Sequence, residues 1–382
     1  MKSEWQTKKI GEVVEIRRGS SPRPIHKFLA SEGMPWVKIA DATSDTSRYI
    51  WRTNEFIIDE GVNKSVKVAP ETLIVSNSAT PGLPKILKIT ACVHDGWLVF
   101  FNYRGITRDF LYYKFIDIRH KLVNQANGSV FQNLKTGIVR DFDIDVPSIE
   151  TQQKIVGILS NIDEKIELNN AINNNLEQQA QAIFKSWFID YEPFGGNKPS
   201  EWRFSSLGEV SNMRAGGDKP HIVSPVKTTD CPFPIYSNGL SDEGLYGYTN
   251  AAKIFDESVT VSARGTIGYV CLRHIPYVPI VRLVTLVPYK ETLSAKYLYF
   301  WLKQLHITGT GTTQQQLTVP AFQKTKILVP NIDTIASFDE IVNPIYQKIW
   351  SNQSENEHLA SIRDTLLPRL MSGEIDVSDI EL

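Results

Sequence analysis

The chain has 382 residues, enough for two or three domains with their own cores, and its 42% hydrophobic and 22% charged content is ordinary for a soluble globular protein. Three cysteines, Cys92, Cys231 and Cys271, stand far apart without Cys-x-x-Cys spacing, which argues against a disulfide framework or a structural zinc site and fits a reduced cytoplasm. The net charge of −1 hides an alternation of +5 over residues 1–147, −4 over 148–192, +5 over 193–330 and −7 over 331–382, and such asymmetry bears on partners more than the total does.

MKSEWQTKK at the start lacks the apolar core of a signal peptide. The most apolar stretch, 275–287, holds Arg282 and two prolines, so no bilayer span is expected. Alternating and β-branched residues predict strands over 12–16, 36–40, 72–76, 97–102 and 143–146, with a short amphipathic helix over 110–123. Pro147 ends the last of these strands, Ser148 is a favoured N-cap, and Glu150 places negative charge in the first turn of a long helix. Its stripe is Ile155, Leu159, Ile162, Ile166, Ile172, Leu176, Ala180, Ile183 and Trp187, with Phe184 beside it.

The pattern then starts again. Strands are predicted over 258–262, 269–273 and 280–287 and a helix over 295–305, followed by Pro330, the N-cap Asn331 and Asp333. The second stripe is Phe338, Val342, Ile345, Ile349, Leu359, Ile362, Leu366 and Leu370. Stripes this long and narrow suit a two-helix coiled coil, and about 40 residues make a rod of roughly 60 Å. Asn169 and Asn352 interrupt both stripes at equivalent places. Each either fixes register in the seam or faces solvent within an Asn-rich run. Pro344 and Pro368 are expected to bend or end the second helix.

Identity at a fixed offset supports a duplication. Ser3, Glu4, Trp5, Gly11, Glu12, Val13, Arg17 and Gly19 recur as Ser200, Glu201, Trp202, Gly208, Glu209, Val210, Arg214 and Gly216, an offset of 197. A later block, 146–151, matches 329–334 at an offset of 183, so the second copy is shorter inside its globular part. The expected organisation is a mixed α/β (α+β) pair of tandem domains with a pseudo-two-fold internal repeat. Its pieces are 1–147, a central helix within 148–194, 195–330, and a C-terminal helix and tail over 331–382.

No chemistry of its own is legible. There is no GK[ST] phosphate loop, no GxGxxG after a strand, and no Asn/Asp-Pro-Pro-aromatic motif of an amino-methyltransferase. Seven histidines are scattered without ligand spacing, and Asp163-Glu164-Lys165 falls inside a long helix, where a solvated face accounts for it. His94-Asp95 is the one pair with catalytic residue types, and it reads as an ordinary loop.

Residues 182–190 with Glu192-Pro193-Phe194, and 366–375 (LLPRLMSGEI), resemble the central and the distal helix end of Type I restriction-modification specificity subunits. The Trp-x5-Gly-Glu-Val opening, the Val-Pro-x-Ile helix start and the duplicated layout are also similar, so the resemblance spans essentially the whole chain. It implies two target-recognition domains joined by an antiparallel coiled coil, each reading half of a bipartite double-stranded DNA site, with the helices setting the spacer. It also implies a cytoplasmic, non-catalytic factor acting with two modification (methyltransferase) subunits and with restriction (translocase-nuclease) subunits. No cofactor is expected on this chain; S-adenosylmethionine, ATP and Mg2+ would sit on the partners.

Reading DNA needs side chains at base edges and cations or amides at phosphates. Candidates in the first copy are Arg17, Arg18, Ser20, Ser21, Arg23 and Lys27, then Asn77, Ser78 and Thr80, then Asn127, Ser129 and Gln132. The second copy offers Lys219, Ser237, Asn238, Arg264, Thr266, Thr312, Thr313, Gln314 and Gln315. Helix pairing or partner contacts fall to Ile155, Ile162, Ile166, Leu176, Phe184, Trp187, Val342, Ile345, Ile349, Leu359, Leu366 and Leu370. Two other classes fit the bare pattern: a coiled-coil scaffold carrying two lectin-like or protein-binding domains, and an enzyme with a degenerate site.

Overall fold

The computed structural model describes residues 5–43, 47–126, 133–309 and 316–380. The chain forms two compact units, one of 1–170 with 353–382 and the other of 171–352. Each unit therefore holds a globular part and one end of each of two 40-residue helices, Ile149–Phe188 and Ile332–Met371.

In the first unit, Gln6–Lys9 pairs antiparallel with Asp143–Val146, so the start and end of the globular part meet. The main sheet runs in the order Glu15–Arg18, Trp97–Phe101, Leu73–Ser76, Pro84–Leu87, Tyr49–Ile50. A second five-stranded sheet gathers Leu29–Ala30, Phe56–Ile57, Met34–Val37, Ala91–Val93 and Val66–Val68. Helix Arg108–Ala126 lies in the same core as the main sheet, with Phe115 edge-on to Phe100 at 5.0 Å.

The second unit repeats the plan with fewer strands. Arg203–Ser206 pairs with Lys326–Val329, and the main sheet is Ser211–Ala215, Val284–Pro288, Ser258–Val261, Val270–Arg273. A three-stranded sheet of Leu245–Thr249, Phe233–Tyr236 and Val278–Pro279 replaces the larger one.

The repeated identities have physical causes. Glu12 and Glu209 each accept the backbone N–H three residues earlier, of Lys9 at 3.0 Å and Ser206 at 3.1 Å, the glutamate half of a capping box. That turns Ile10–Val13 into a helical turn where a strand over 12–16 was expected, and the strand begins at Glu15. Two other runs are also corrected: the strand at 36 stops at Val37 before helix Ile39–Thr43, and 280–283 is a turn before the strand Val284–Pro288. A Cβ on Gly19 would lie 2.2 Å from the His94 carbonyl oxygen, and one on Gly216 would lie 2.8 Å from the Ile280 nitrogen, so both positions require glycine.

Ser148 and Asn331 cap their helices, accepting from the N–H of Thr151 at 3.2 Å and of Thr334 at 3.1 Å. Helix Ile332–Met371 runs through Pro344 and Pro368, neither of which ends it. Within each unit the helix ends pair antiparallel. In the first, Asn169 meets Glu355 while Asp163 meets Arg363; in the second, Asn173 meets Asn352 while Glu177 meets Tyr346.

Aromatics hold the outer end in the second unit. Phe184 and Phe188 pack on Phe338, and Phe188 also on Tyr297 and Trp202. Trp187, Ile162, Ile166, Leu176, Ile345, Leu359 and Leu366 are only half-buried, whereas Ile155, Phe184, Val342, Ile349 and Leu370 are buried. The inner part of the pairing is polar. Asn169 and Asn352 are both 1% exposed, which decides against the solvent-facing reading. Asn169 Nδ2 donates to Glu355 Oε2 (2.8 Å) and Asn356 Oδ1 (2.9 Å), and Asn352 Nδ2 donates to Asn173 Oδ1 (2.8 Å). Buried amides satisfied this way penalise any slip of register, since a slip would orphan them.

Candidate nucleic-acid interface

The cross-strand pairs place the two main sheets in one register. Arg17 opposes Val99 as Arg214 opposes Thr285, and Ile74 opposes Val99 as Thr260 opposes Thr285. The same offset equates the hairpin loop 76–83 with 262–269, and the loops share their backbone. Ser76 N donates to Leu83 O and Ser262 N to Tyr269 O, both at 2.9 Å. Gly82 N donates to Ser76 O (2.8 Å) as Gly268 N does to Ser262 O (2.9 Å). Leu134 N reaches Asn77 O (2.8 Å) as Leu317 N reaches Ala263 O (3.0 Å). Both tips turn through left-handed residues at matching places, Ala79 (φ 58°) with Gly265 (φ 67°) and Gly82 (φ 78°) with Gly268 (φ 86°).

On this common frame the side chains differ. In the first unit, Asp95 ties three loops together. Its backbone oxygen accepts from Arg18 Nε (2.8 Å) and Asn77 Nδ2 (3.0 Å); its carboxylate accepts from the Ser21 hydroxyl (2.7 Å), His94 Nε2 (3.1 Å) and Arg23 (3.4 Å). His94 Nδ1 accepts the Gly96 N–H at 2.8 Å, so the proton lies on Nε2. Burial, reinforced by Lys38, Arg23 and Arg18, outweighs Asp95 and lowers the His94 pKa, leaving a neutral ring. Burial pushes the Asp95 carboxyl up, but Ser21, His94, Arg23 and Arg18 together bring it below its ordinary value.

A carboxylate with a depressed pKa supplies stability above its unfolded pKa and loses it as pH falls through the folded one. The clamp is therefore fully set at neutral pH and releases only below the usual carboxylate range. At pH 7, Asp95→Ala should speed amide hydrogen exchange about tenfold at Ser20, Ser21 and Arg23 and leave 77–80 near wild type, because Asn77 grips the backbone oxygen that the substitution keeps. Equal acceleration of both loops would show that the carboxylate is not the tie.

The second unit reaches a similar loop contact with other residues. Val281 stands where Asp95 does, and its oxygen accepts from Asn238 Nδ2 at 2.7 Å; Asn238 Oδ1 also accepts the Ala263 N–H at 2.7 Å. Arg264 donates to Gln316 Oε1 at 3.0 Å. Lys219 lies over the Tyr246 ring at 5.9 Å.

The candidates thus sort by exposure. Arg17, Arg23, Lys27, Lys219, Arg264 and Thr266 are exposed; Ser78, Thr80, Ser237 and Asn238 are partly so. Asn77 is buried and serves the loop backbone, Ser20 donates to the Lys64 oxygen, and Arg18 and Ser21 are spent on Asp95. Lys27 sits on the turn Ile25–Lys27, and among the described residues no contact joins it to the Asp95 group. Asn127, Ser129, Gln132, Thr312, Thr313, Gln314 and Gln315 lie outside the described residues. Gln316 ends the candidate loop 310–316, whereas Asp95, read from the sequence only as part of an ordinary loop, and Arg282, read only as a break in an apolar stretch, were not among the candidates. Their roles depend on neighbours far along the chain, and only the repeat register could have pointed to them. Among the described residues no His, Cys, Asp and Glu group could hold a metal ion, and no helix is long and apolar enough to cross a membrane.

Comparison with known proteins finds a match to the model of the Type I restriction modification DNA specificity domain over residues 2–178 and again over 199–356. The chain is 27% identical over 414 residues to the specificity subunit of the Type I restriction enzyme MjaIX of Methanocaldococcus jannaschii, covering 99% of this chain and 95% of that one. It is 29% identical over 340 residues to the HindI specificity subunit of Haemophilus influenzae, covering 67% and 74%. Its fold is similar to the crystal structure of a Type I restriction-modification S subunit from M. genitalium, with a TM-score of 0.57 at 18% identity over 96% of each chain.

Proposed function

The chain belongs to the Type I restriction-modification DNA specificity family, and from that premise we propose that each unit reads one half of a divided double-stranded DNA site. The observation that carries this reading is the hairpin frame found twice, with one backbone and different tips: Ser78 and Ala79 in one unit, Arg264 and Gly265 in the other. A frame kept while its exposed side chains diverge suits a reader that must recognise two different half-sites.

In this reading the chain performs no chemistry. Methyltransferase subunits, two of them, supply S-adenosylmethionine and adenine methylation; restriction subunits supply ATP- and Mg2+-dependent translocation and cleavage. The complex works in the cytoplasm. The long helices set the spacer between half-sites. With +5 on each globular block and −1 overall, the chain alone contributes a modest phosphate term, and partners close the clamp. Nanomolar site binding by the isolated chain at physiological salt would contradict that division of labour.

Arg264 carries the test. Its guanidinium is exposed beside Gln316 and suits the O6/N7 edge of guanine. Arg264→Ala in the assembled methyltransferase should weaken recognition at one half-site by about 1–3 kcal/mol and leave the other unchanged. Single-molecule methylome sequencing reads this directly. Unaltered affinity and unaltered motif would remove Arg264 from the reading surface.

A further inference from the structure

We infer that Arg282 is a second base-reading residue of the second unit, acting beside Arg264 on the edge of a guanine. The inference rests on the DNA-reading proposal and names a residue that neither the sequence analysis nor any comparison assigns.

The first support is position. Gly19 N donates to Trp97 O as Gly216 N donates to Leu283 O, both at 2.8 Å, so Arg282 stands where the first unit has Gly96. In that unit positions 78 and 96 face each other: a Cβ on Gly96 would come within 2.9 Å of the Ser78 hydroxyl oxygen. The second unit replaces this small pair with two arginines, 264 and 282.

The second support is strain. Val281 (φ 52°) and Arg282 (φ 64°) are consecutive left-handed residues, a conformation that a β-branched and a long side chain both disfavour. The loop is held there by Val281 N to Gly217 O (2.9 Å), Arg282 N to Gly216 O (3.0 Å) and Asn238 Nδ2 to Val281 O (2.7 Å). Glycine would sit at 282 without strain, yet an arginine stands there. Strain of this kind persists where a side chain is needed in a set direction.

The third support is the guanidinium itself. Arg282 is exposed, and among the described residues its side chain makes no hydrogen bond or ion pair. It borders a pocket with Ala215, Gln316, Leu317 and Val319. Gln316 is the residue that holds Arg264, so the partner of one arginine lines the same pocket as the other. Guanidinium forks of this kind match guanine O6 and N7 with two N–H groups in a fixed plane, a geometry that the rotating ammonium of lysine does not hold.

The test uses Arg282→Gly and Arg282→Lys in the full methyltransferase complex, with methylome sequencing and thermal unfolding as readouts. Both variants should accept other bases at one position, with discrimination falling about 5- to 150-fold. That position should lie in the half-site altered by Arg264→Ala, and the Tm of Arg282→Gly should match or exceed wild type, because glycine relieves the strain. The proposal is overturned if lysine behaves as wild type while glycine weakens methylation uniformly, the mark of a phosphate contact. It also falls if neither variant alters the motif, if the altered base lies in the other half-site, or if glycine lowers Tm and abolishes methylation everywhere. A wild-type complex that methylates no divided site would instead defeat the parent reading before any variant is made.

Discussion

Phe188→Ala is expected to destabilise the second unit by about 3–5 kcal/mol, the range for deleting a fully buried phenylalanine. The ring is 0% exposed and has four aromatic neighbours at 4.8–5.6 Å between centroids: Tyr297, Phe338, Phe184 and Trp202. These come from a short helix, the second long helix, the same helix and the loop that opens the second copy, so no single element can move in to fill the space. Edge-to-face contacts of this kind add to the area term. The neighbouring Ile189 is 36% exposed and provides the control, with a change near zero on substitution by alanine. Denaturant melts of the two variants decide the matter. A loss below about 1 kcal/mol for Phe188→Ala would mean that the cluster is not what anchors the helix in its unit.

The second large effect concerns spacing. A four-residue insertion after Asn170, matched by one after Asn352, is expected to lengthen the spacer of the recognised site by roughly two base pairs. Four helical residues advance about 6 Å, and base pairs stack at about 3.4 Å. These points are chosen because the units divide there: the hydrogen bonds of Asn169 and Asn170 stay within the first, and those of Asn173 and Asn352 within the second. Inserting after Asn170 alone should change the tolerated spacing too, while unbalancing the lengths of the two helices. Both half-sites should be read as before. Methylome sequencing showing the original spacer with the double insertion would end the idea that the helices measure it.

Much of the fold was legible because its causes are local. Ser148 and Asn331 act on N–H groups three residues away, and a cap is read from adjacent letters. The long stripes were visible for the same reason, although the half-buried Trp187 was placed in the seam and the buried Phe188 was not. The errors arose where a polar contact overrode β-propensity: Glu12 bends 10–13 into a helical turn by bonding Lys9, and 280–287 reads as one apolar strand until the backbone reverses at Val281-Arg282. The reading surface was least legible. Basic and small polar residues in loops were found, but Asp95 gathers Arg18, Ser21 and Asn77 from far along the chain. Whether an arginine is spent on a neighbour or offered outward is a tertiary fact.

The two units differ in how they can be made. The second is one continuous stretch, 171–352, and can close its core as soon as it leaves the ribosome. The first needs Leu367, Leu370, Met371 and Val377 in its core, and Lys114, buried, donates to the Met371 oxygen at 2.9 Å. Those residues are translated after the whole of 171–352, so the earlier-synthesised globular part must wait until the second unit has been made. Since domains generally complete folding in order of synthesis at about 5–20 residues per second, this protein should finish its later-encoded half first and carry an open apolar face on the other for roughly 10–40 seconds. Its yield in cells should depend on whatever shields that face during translation.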